Sequence, residues 1–322
     1  MNWGHDALLT KARVYFNRAL SEDRQSPLFG LWCSIGLELL ARAAVAKVSP
    51  VLLAERDKDF QNVLYALERS TQEPGKERSI KTNEVFDLCA KLFGKDFTQD
   101  DKQQAIALTN QRNAELHTGI AAFENYTQQD WLPGFYKACA ALSLSMGLSL
   151  EDVLNETEAG IAAEAMEAKK KEVISRVKKL IASHAEVFLA KQGTDKGDLI
   201  KKNQLEIDRL TYQRHHKVNC PSCTNPASVQ GDTFGPVTVE NNDDGEIVLK
   251  QAVMPRAFQC RVCDLKLNNY AELSAAGLGN QYTRTTTQTP AEYYGLLDPD
   301  SDDLSQYIED HLDSMGQEYD NE

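Results

Sequence analysis

An arginine, an asparagine and a histidine lie close together in residues 110–119, and their types and spacing could do acid–base chemistry on a phosphate. Arg112 and Asn113 precede His117 by five and four positions. Histidine can give and take protons near neutral pH, and a planar guanidinium can stabilise the charge that builds on phosphorus. These groups would suffice to cleave an RNA strand by attack of its own 2′-hydroxyl, without a metal ion.

One helix is expected to carry all three side chains. Residues 102–117 lack proline and contain spaced apolar residues, and Gly119 follows where a glycine commonly ends a helix. His117 would then lie in the last turn, where free carbonyl groups favour the imidazolium form. Asn113 lies one turn earlier on the same face, where its amide could orient the ring, and the long side chain of Arg112 could share an anionic ligand.

The pattern Arg112-Asn113-x-x-x-His117 in a helical chain resembles the HEPN superfamily, whose ribonucleases carry an Arg-x(4–6)-His motif with a polar residue after the arginine. Residues 36–43 and 97–100 add to the resemblance, which spans residues 1–150. It implies a helix bundle that works as a dimer, with two copies of Arg112 and His117 facing one another across a shared cleft. Subfamilies neutralised by tyrosine modification carry a tyrosine where this chain has Gly119, which argues against that regulation here.

A further polar residue is expected near this motif. Residues 28–48 are too apolar for a surface helix, so part of this segment should be buried in the bundle core. Glu38 lies midway along it and is predicted to pair with Arg112 or His117 near the site. The simpler alternative is a salt bridge to Arg42, one turn further on.

Two Cys-x-x-Cys pairs predict a metal site in the second half of the chain. Their spacing is that of two zinc knuckles, and strand-like segments lie between them; the four ligands are Cys220, Cys223, Cys260 and Cys263. We therefore predict a zinc ribbon that holds a structural Zn²⁺. His215 and His216 could also ligate, but four cysteines already complete a tetrahedral site.

The whole chain is predicted to be mainly α, in four parts. Residues 1–150 form the helix bundle and residues 151–217 a helical connector, with Ser70 to Thr82 as a flexible excursion in the bundle. Residues 218–275 form the ribbon. Residues 276–322 form an acidic tail with one amphipathic helix, which begins at a capping box in residues 289–292 and carries an apolar stripe of Leu304, Tyr307, Ile308, Leu312 and Met315.

Composition indicates a cytoplasmic protein without a membrane span. Glu38 and Arg42 interrupt the most apolar stretch, and charged residues come too early for a signal segment. Outside the four paired cysteines, the remaining three are expected to be small buried side chains on helices: Cys33, Cys89 and Cys139.

The net charge of −13 is concentrated at the carboxyl end. Residues 291–322 hold eleven acidic residues and no lysine or arginine, which leaves −2 for the rest of the chain. A nearly neutral body argues against a protein that coats long nucleic acids, but it allows an enzyme that holds a few nucleotides in a cleft.

Two functions of different classes follow. The first is a metal-independent endoribonuclease of the HEPN toxin or phage-defence type, which cleaves tRNA or single-stranded RNA as a dimer and is restrained by its acidic tail. The second is a non-catalytic HEPN-like adaptor whose ribbon and tail recruit partners. The presence of both Arg112 and His117 favours the first, because an adaptor has no physical need for them.

Overall fold

The computed structural model describes residues 2–70, 75–124, 126–190, 194–212 and 215–295. These residues are mainly helical, as the sequence predicts, and include a small antiparallel sheet. The helices are α1 His5–Ser21, α2 Pro27–Val48, α3 Gln61–Ala66, α4 Thr82–Leu92, α5 Gln99–His117, α6 Gln128–Ser145, α7 Glu151–Leu154, α8 Glu156–Ala190, α9 Thr194–Tyr212, α10 Tyr270–Ala275 and α11 Pro290–Tyr294, with a 3₁₀ turn at Pro50–Leu53. The strands are β1 His216–Asn219, β2 Pro226–Asn241, β3 Ile247–Gln259, β4 Lys266–Leu267 and β5 Tyr282–Gln288.

Helix α2 is the central element of the helical core. Pro27 occupies its first turn, the Ser26 hydroxyl accepts the Leu28 N–H, and the helix then packs against α1, α4, α5 and α6. A Cβ at Gly36 would lie 2.4 Å from the ring of Phe16, so the glycine allows α1 to approach closely. The prediction that residues 28–48 are largely buried is confirmed.

By length and composition, α2 is apolar enough to cross a membrane, contrary to the prediction from its charged residues. Glu38 and Arg42 interrupt it too little to exclude a span on composition alone. Of its most apolar stretch, 67% is buried inside the structure. The buried core helix of a soluble protein can have the same length and composition.

Helix α5 ends in a different way from the one predicted. It stops at His117, but Thr118 is extended and Gly119 does not have a positive φ. The Thr118 hydroxyl donates to the Ala114 carbonyl at 2.7 Å and accepts the Ile120 N–H at 3.1 Å. The expectation that Gly119 terminates the helix is therefore wrong, because the threonine side chain satisfies the backbone groups there instead.

Helix α8 does more than connect two parts of the chain. It packs against α6 and α7 near its start and against α10 further along. Glu158, in its first turn, is buried and accepts hydrogen bonds from Tyr136 and Arg24. The charged segment was correctly predicted to be helical, but its buried carboxylate had no signal in the sequence.

The chain divides into two compact units. The first comprises Met1–Phe234 and Met254–Asn280, and in it β1 pairs antiparallel with β2 and β4 with the end of β3. The second comprises Gly235–Val253 and Gln281–Glu322, and in it β5 pairs antiparallel with the start of β3, from Ile247↔Gln288 to Val253↔Tyr282.

The described part of the predicted tail, residues 276–295, contains strand β5, which was not predicted. The predicted capping box is present, because the Thr289 hydroxyl accepts the Glu292 N–H at 3.2 Å at the start of α11. The predicted apolar stripe lies outside the described residues.

Candidate functional sites

The helix that carries the sequence motif is anchored at its start. Thr98 and Asp101 form a capping box at the first turn of α5, and Asp101 also forms an ion pair with Lys137 of α6 at 2.8 Å. From this fixed start the helix runs to His117. Arg112 and Asn113 therefore lie in its second half, close to α2.

Glu38 joins two arginines from different helices. One of its carboxylate oxygens accepts from Nη1 of Arg112 on α5, and the other accepts from Nε of Arg42 at 2.9 Å. The side chains of Glu38 and Arg112 are only 17% and 13% exposed. The predicted pairing with Arg112 and the alternative salt bridge with Arg42 are both present, whereas the described residues show no bond between Glu38 and His117.

The pKa of Glu38 is lowered by this arrangement. Burial alone would raise it, but the hydrogen bond from Arg112 and the charges of Arg42 and Arg112 outweigh burial. Glu38 is therefore a carboxylate at neutral pH and a weak proton acceptor. Its geometry suits it to hold the Arg112 guanidinium in place rather than to move a proton.

The Arg42 guanidinium extends this network to a neighbouring loop. Its Nη1 donates to the Ser79 hydroxyl at 3.1 Å and its Nη2 donates to the Ile80 carbonyl at 3.0 Å. We call Glu38, Arg42, Arg112 and Asn113 the Glu38 cluster. The sequence indicated only that Arg42 lies one helical turn from Glu38. No sequence pattern predicted the contacts of Arg42 with the loop.

Asn113 does not orient His117 as predicted. Its amide oxygen accepts from Nε and Nη2 of Arg112, at 3.3 and 3.1 Å. The neighbouring guanidinium competes successfully for that oxygen, because a charged donor makes the stronger hydrogen bond. His117 is exposed, and no hydrogen bond or ion pair of its ring is found within the described part of the chain.

Two exposed aliphatic residues lie near His117 in the sequence. Leu116 and Ile120 are 54% and 61% exposed on either side of it. The chain that follows is folded back, since the Glu115 carboxylate accepts the N–H groups of Ala122 and Phe123 at 2.7 and 3.3 Å. The histidine thus lies on an ordered surface with uncovered aliphatic neighbours.

The second site is formed by the four predicted cysteines. Their sulfur atoms all lie within 4.8 Å of one another, and every one of the residues is buried. Across the two turns, the sulfur of Cys220 lies 3.6 Å from that of Cys263, and the sulfur of Cys223 lies 3.5 Å from that of Cys260. This four-cysteine centre could hold a metal ion, with one sulfur from each cysteine.

Both Cys-x-x-Cys turns have the same backbone form. The Cys220 N–H donates to the Asn225 carbonyl and the Cys260 N–H to the Leu265 carbonyl, each at 2.9 Å. The residue after each second cysteine has a positive φ, 61° at Thr224 and 62° at Asp264. Two equivalent turns therefore present two sulfurs each to a common point.

The four-cysteine centre is attached to α8. Nδ1 of His184 bonds the Cys263 carbonyl at 2.6 Å, and the Ser222 hydroxyl donates to the Ile181 carbonyl at 3.0 Å. His215 bonds Gln230, and among the described residues only the four cysteines form a metal-ligand group. Sequence reasoning missed His184 because nothing in its neighbourhood distinguishes it from other helix residues.

The other three cysteines are buried, as predicted. Burial raises the pKa of the Cys89 thiol to about 12 and raises the pKa values of Cys33 and Cys139 well above their usual range. These thiols are therefore protonated at neutral pH, which is the state of inert core residues.

Comparison with protein-family models, with curated proteins and with solved structures finds no match to this chain. The resemblance to HEPN ribonucleases therefore stays a prediction from the motif.

Proposed function

We propose that the protein is a metal-independent endoribonuclease of the HEPN toxin or phage-defence type, with Arg112 and His117 as its catalytic residues. The observation that carries the proposal is the Glu38 cluster. It holds a guanidinium at the surface edge of α5, five residues before an exposed histidine on the same helix. A structural ion pair would not require a histidine there, whereas acid–base chemistry on a phosphate would.

In the proposed reaction, a base removes the proton of the RNA 2′-hydroxyl and the 2′-oxygen attacks phosphorus. The bond to the 5′-oxygen breaks as that oxygen gains a proton, which leaves a 2′,3′-cyclic phosphate and a 5′-hydroxyl. His117 serves as proton acceptor or donor, and Arg112 stabilises the charge on the phosphoryl oxygens. Two histidines, one from each subunit of a dimer, would supply both roles.

Asn113 and Glu38 have distinct roles in this scheme. Glu38 keeps its bond to Nη1 of Arg112, so the guanidinium stays in place. Asn113 is exposed and occupies the other edge of the guanidinium, at Nε and Nη2. An incoming phosphate would replace the neutral amide there, because a bidentate bond to an anion is the stronger one.

The four-cysteine centre is proposed to hold Zn²⁺ with a structural role. Four thiolates complete a tetrahedral shell and leave no position for substrate. Its attachment to α8 through Cys263 and Ser222 gives it a role in holding that helix. The chemistry at Arg112 and His117 uses none of its atoms.

The proposal is tested by incubating zinc-loaded protein with tRNA and with single-stranded RNA in EDTA and without Mg²⁺. Zinc content is measured before and after. We expect cleavage with cyclic phosphate ends, and a loss of at least about a hundredfold in Arg112→Ala and in His117→Ala. Arg209→Ala, which alters an exposed arginine on α9, should cleave like the wild type.

Cleavage that persists in either variant, or that requires Mg²⁺, would contradict the assignment. A folded, zinc-loaded wild type that cuts neither RNA would favour the adaptor, in which the same helices only bind partners.

A further inference from the structure

Phe60 has an unusual backbone and an unusual exposure. It precedes α3 with φ 55°, in the left-handed region that bulky residues rarely occupy, and its side chain is 65% exposed. An exposed phenylalanine alone is ordinary. A phenylalanine whose backbone has a positive φ and whose side chain stays exposed requires an explanation. Backbone strain of this kind clusters at functional sites.

The turn that holds Phe60 is firmly fixed. The Asp57 carboxylate accepts the N–H groups of Asp59, Gln61 and Asn62 at 3.1, 2.8 and 2.9 Å. The pKa of Asp57 is lowered by these backbone hydrogen bonds, chiefly that from Asn62, against an opposing effect of burial. The aromatic ring is thus presented to solvent by a rigid turn.

Two exposed arginines lie on the adjoining backbone. The Glu55 N–H donates to the Arg78 carbonyl at 3.0 Å, so Arg56 and Arg78 lie on paired segments. The buried Asn62 side chain joins the same segments, since it donates to the Glu55 carbonyl at 3.0 Å and accepts the Arg78 N–H at 2.7 Å. Neither guanidinium has an ion pair or hydrogen bond with any described residue.

This surface is connected to the Glu38 cluster. Arg42 bonds Ser79 and Ile80, which directly follow Arg78, and it shares Glu38 with Arg112. A continuous series of hydrogen bonds therefore leads from the proposed catalytic arginine to the segment beside Phe60.

We propose that Phe60, Arg56 and Arg78 form a binding site for single-stranded RNA beyond the cleaved phosphate. Phe60 stacks against a base, and the two guanidinium groups bind backbone phosphates. Stacking on an aromatic side chain combined with cations for phosphate is how single strands are bound without sequence preference. This binding site extends the proposed ribonuclease function, and the direction of the bound strand rests on that function. Binding is measured separately from cleavage.

The test uses full-length protein that carries His117→Ala, so that RNA stays intact, and a fluorescent single-stranded oligoribonucleotide. Phe60→Gly and Phe60→Leu should each weaken binding by about tenfold, and Phe60→Tyr should keep it. Phe60→Gly should unfold at the same or a higher temperature, since glycine tolerates the positive φ. Leu67→Ala, at a comparably exposed apolar side chain near the end of α3, is the matched control and should bind normally.

The contribution of the two arginines to RNA binding is distinguished from that of Phe60 by its dependence on salt concentration. Replacing both Arg56 and Arg78 by glutamine should lower the slope of log affinity against log salt by about 1.4, the value for two phosphate contacts on a single strand. Phe60→Gly should leave that slope unchanged. Lys91→Gln, at the far end of α4, is the control for removing an exposed cation.

The outcomes distinguish this proposal from the ribonuclease assignment. If the wild type cleaves but Phe60→Gly and Phe60→Leu bind RNA like the parent, the binding site is wrong and the enzyme stands. If binding requires Phe60 but the wild type never cleaves, the binding site stands and the enzyme does not. If no variant binds single-stranded RNA at all, the surface is not an RNA site, and a protein partner at Phe60 becomes the explanation.

Discussion

A single carboxylate, that of Glu38, holds two guanidinium groups that come from different helices. Arg42 lies one turn away on α2, and Arg112 reaches across from α5. Each of the three side chains is less than one fifth exposed, so each charge relies on the others for compensation. Removal of the carboxylate would leave two cations facing each other, and Arg112 would lose the contact that positions it.

Glu38→Gln should therefore lower the free energy of unfolding by about 1–3 kcal/mol at pH 7. Because the folded-state pKa of Glu38 is lowered, its contribution is present above the ordinary glutamate range and is lost as pH falls through the folded-state value. The difference between wild type and Glu38→Gln should shrink on acidification, as measured by urea unfolding from neutral pH downward. Glu164→Gln, on the exposed face of α8, should have the same free energy of unfolding as the wild type at neutral and at acidic pH. If the difference between wild type and Glu38→Gln grows in acid, the proposed pairing is contradicted.

Individual contacts were predictable where spacing along one helix decides them. The bond between Glu38 and Arg42 follows from residues four apart. The bond between Glu38 and Arg112 was predicted only as one of two pairings, with Arg112 or with His117, because it requires two helices to meet. Asn113 could have served either His117 or Arg112, and helical spacing alone does not rank a neutral ring against a charged neighbour. No sequence pattern predicted the backbone conformation of Phe60, because a positive φ in a non-glycine residue depends on the surrounding hydrogen bonds.

The two cysteine turns and α8 form a connected pair of elements. The four sulfurs were predictable from Cys-x-x-Cys spacing, because that turn directs both sulfurs to one side. The anchoring of the turns on α8 was not, since it uses backbone carbonyls of Ile181 and Cys263. Helix α10 adds to this attachment through an ion pair between Arg176 and Glu272 at 2.9 Å.

Metal removal should loosen these elements while the helical core persists. Cysteine binds zinc as a thiolate, so metal binding must release protons and metal loss must return them. We expect one zinc per chain, and on stripping about four newly reactive thiols with most helical circular dichroism retained. Cys223→Ser should lose zinc and Cys33→Ala should keep it; full zinc in Cys223→Ser would refute the site.

The mainly helical character of the described residues was predicted. A mainly helical protein with a buried α2 and a small β region follows from periodicity, which reports which face of a segment is apolar. The division of the chain into units did not follow, because β3 contributes to both and pairs with β5 far along the sequence. Pairing over such distances depends on the folded sheet rather than on local pattern.

Assembly is the remaining requirement of the proposed enzyme. A shared cleft needs a second subunit beside His117, and the exposed Leu116 and Ile120 would be covered by it. Leu116→Glu and Ile120→Glu should then convert a dimer at micromolar concentration to a monomer and reduce RNA cleavage in parallel. Light scattering and cleavage are measured on the same samples over a dilution series.

Val14→Glu is the matched control for this test, because Val14 is an apolar residue of α1 that is 50% exposed and distant in sequence from the motif. It should leave both mass and activity unchanged. If the cleavage rate of the wild type stays proportional to protein concentration even where the protein is purely monomeric, the shared cleft is ruled out. His117 would then have to act within one chain. Loss of the dimer in Leu116→Glu with full cleavage retained would lead to the same conclusion, whereas joint loss of both supports a cleft built from two copies of α5.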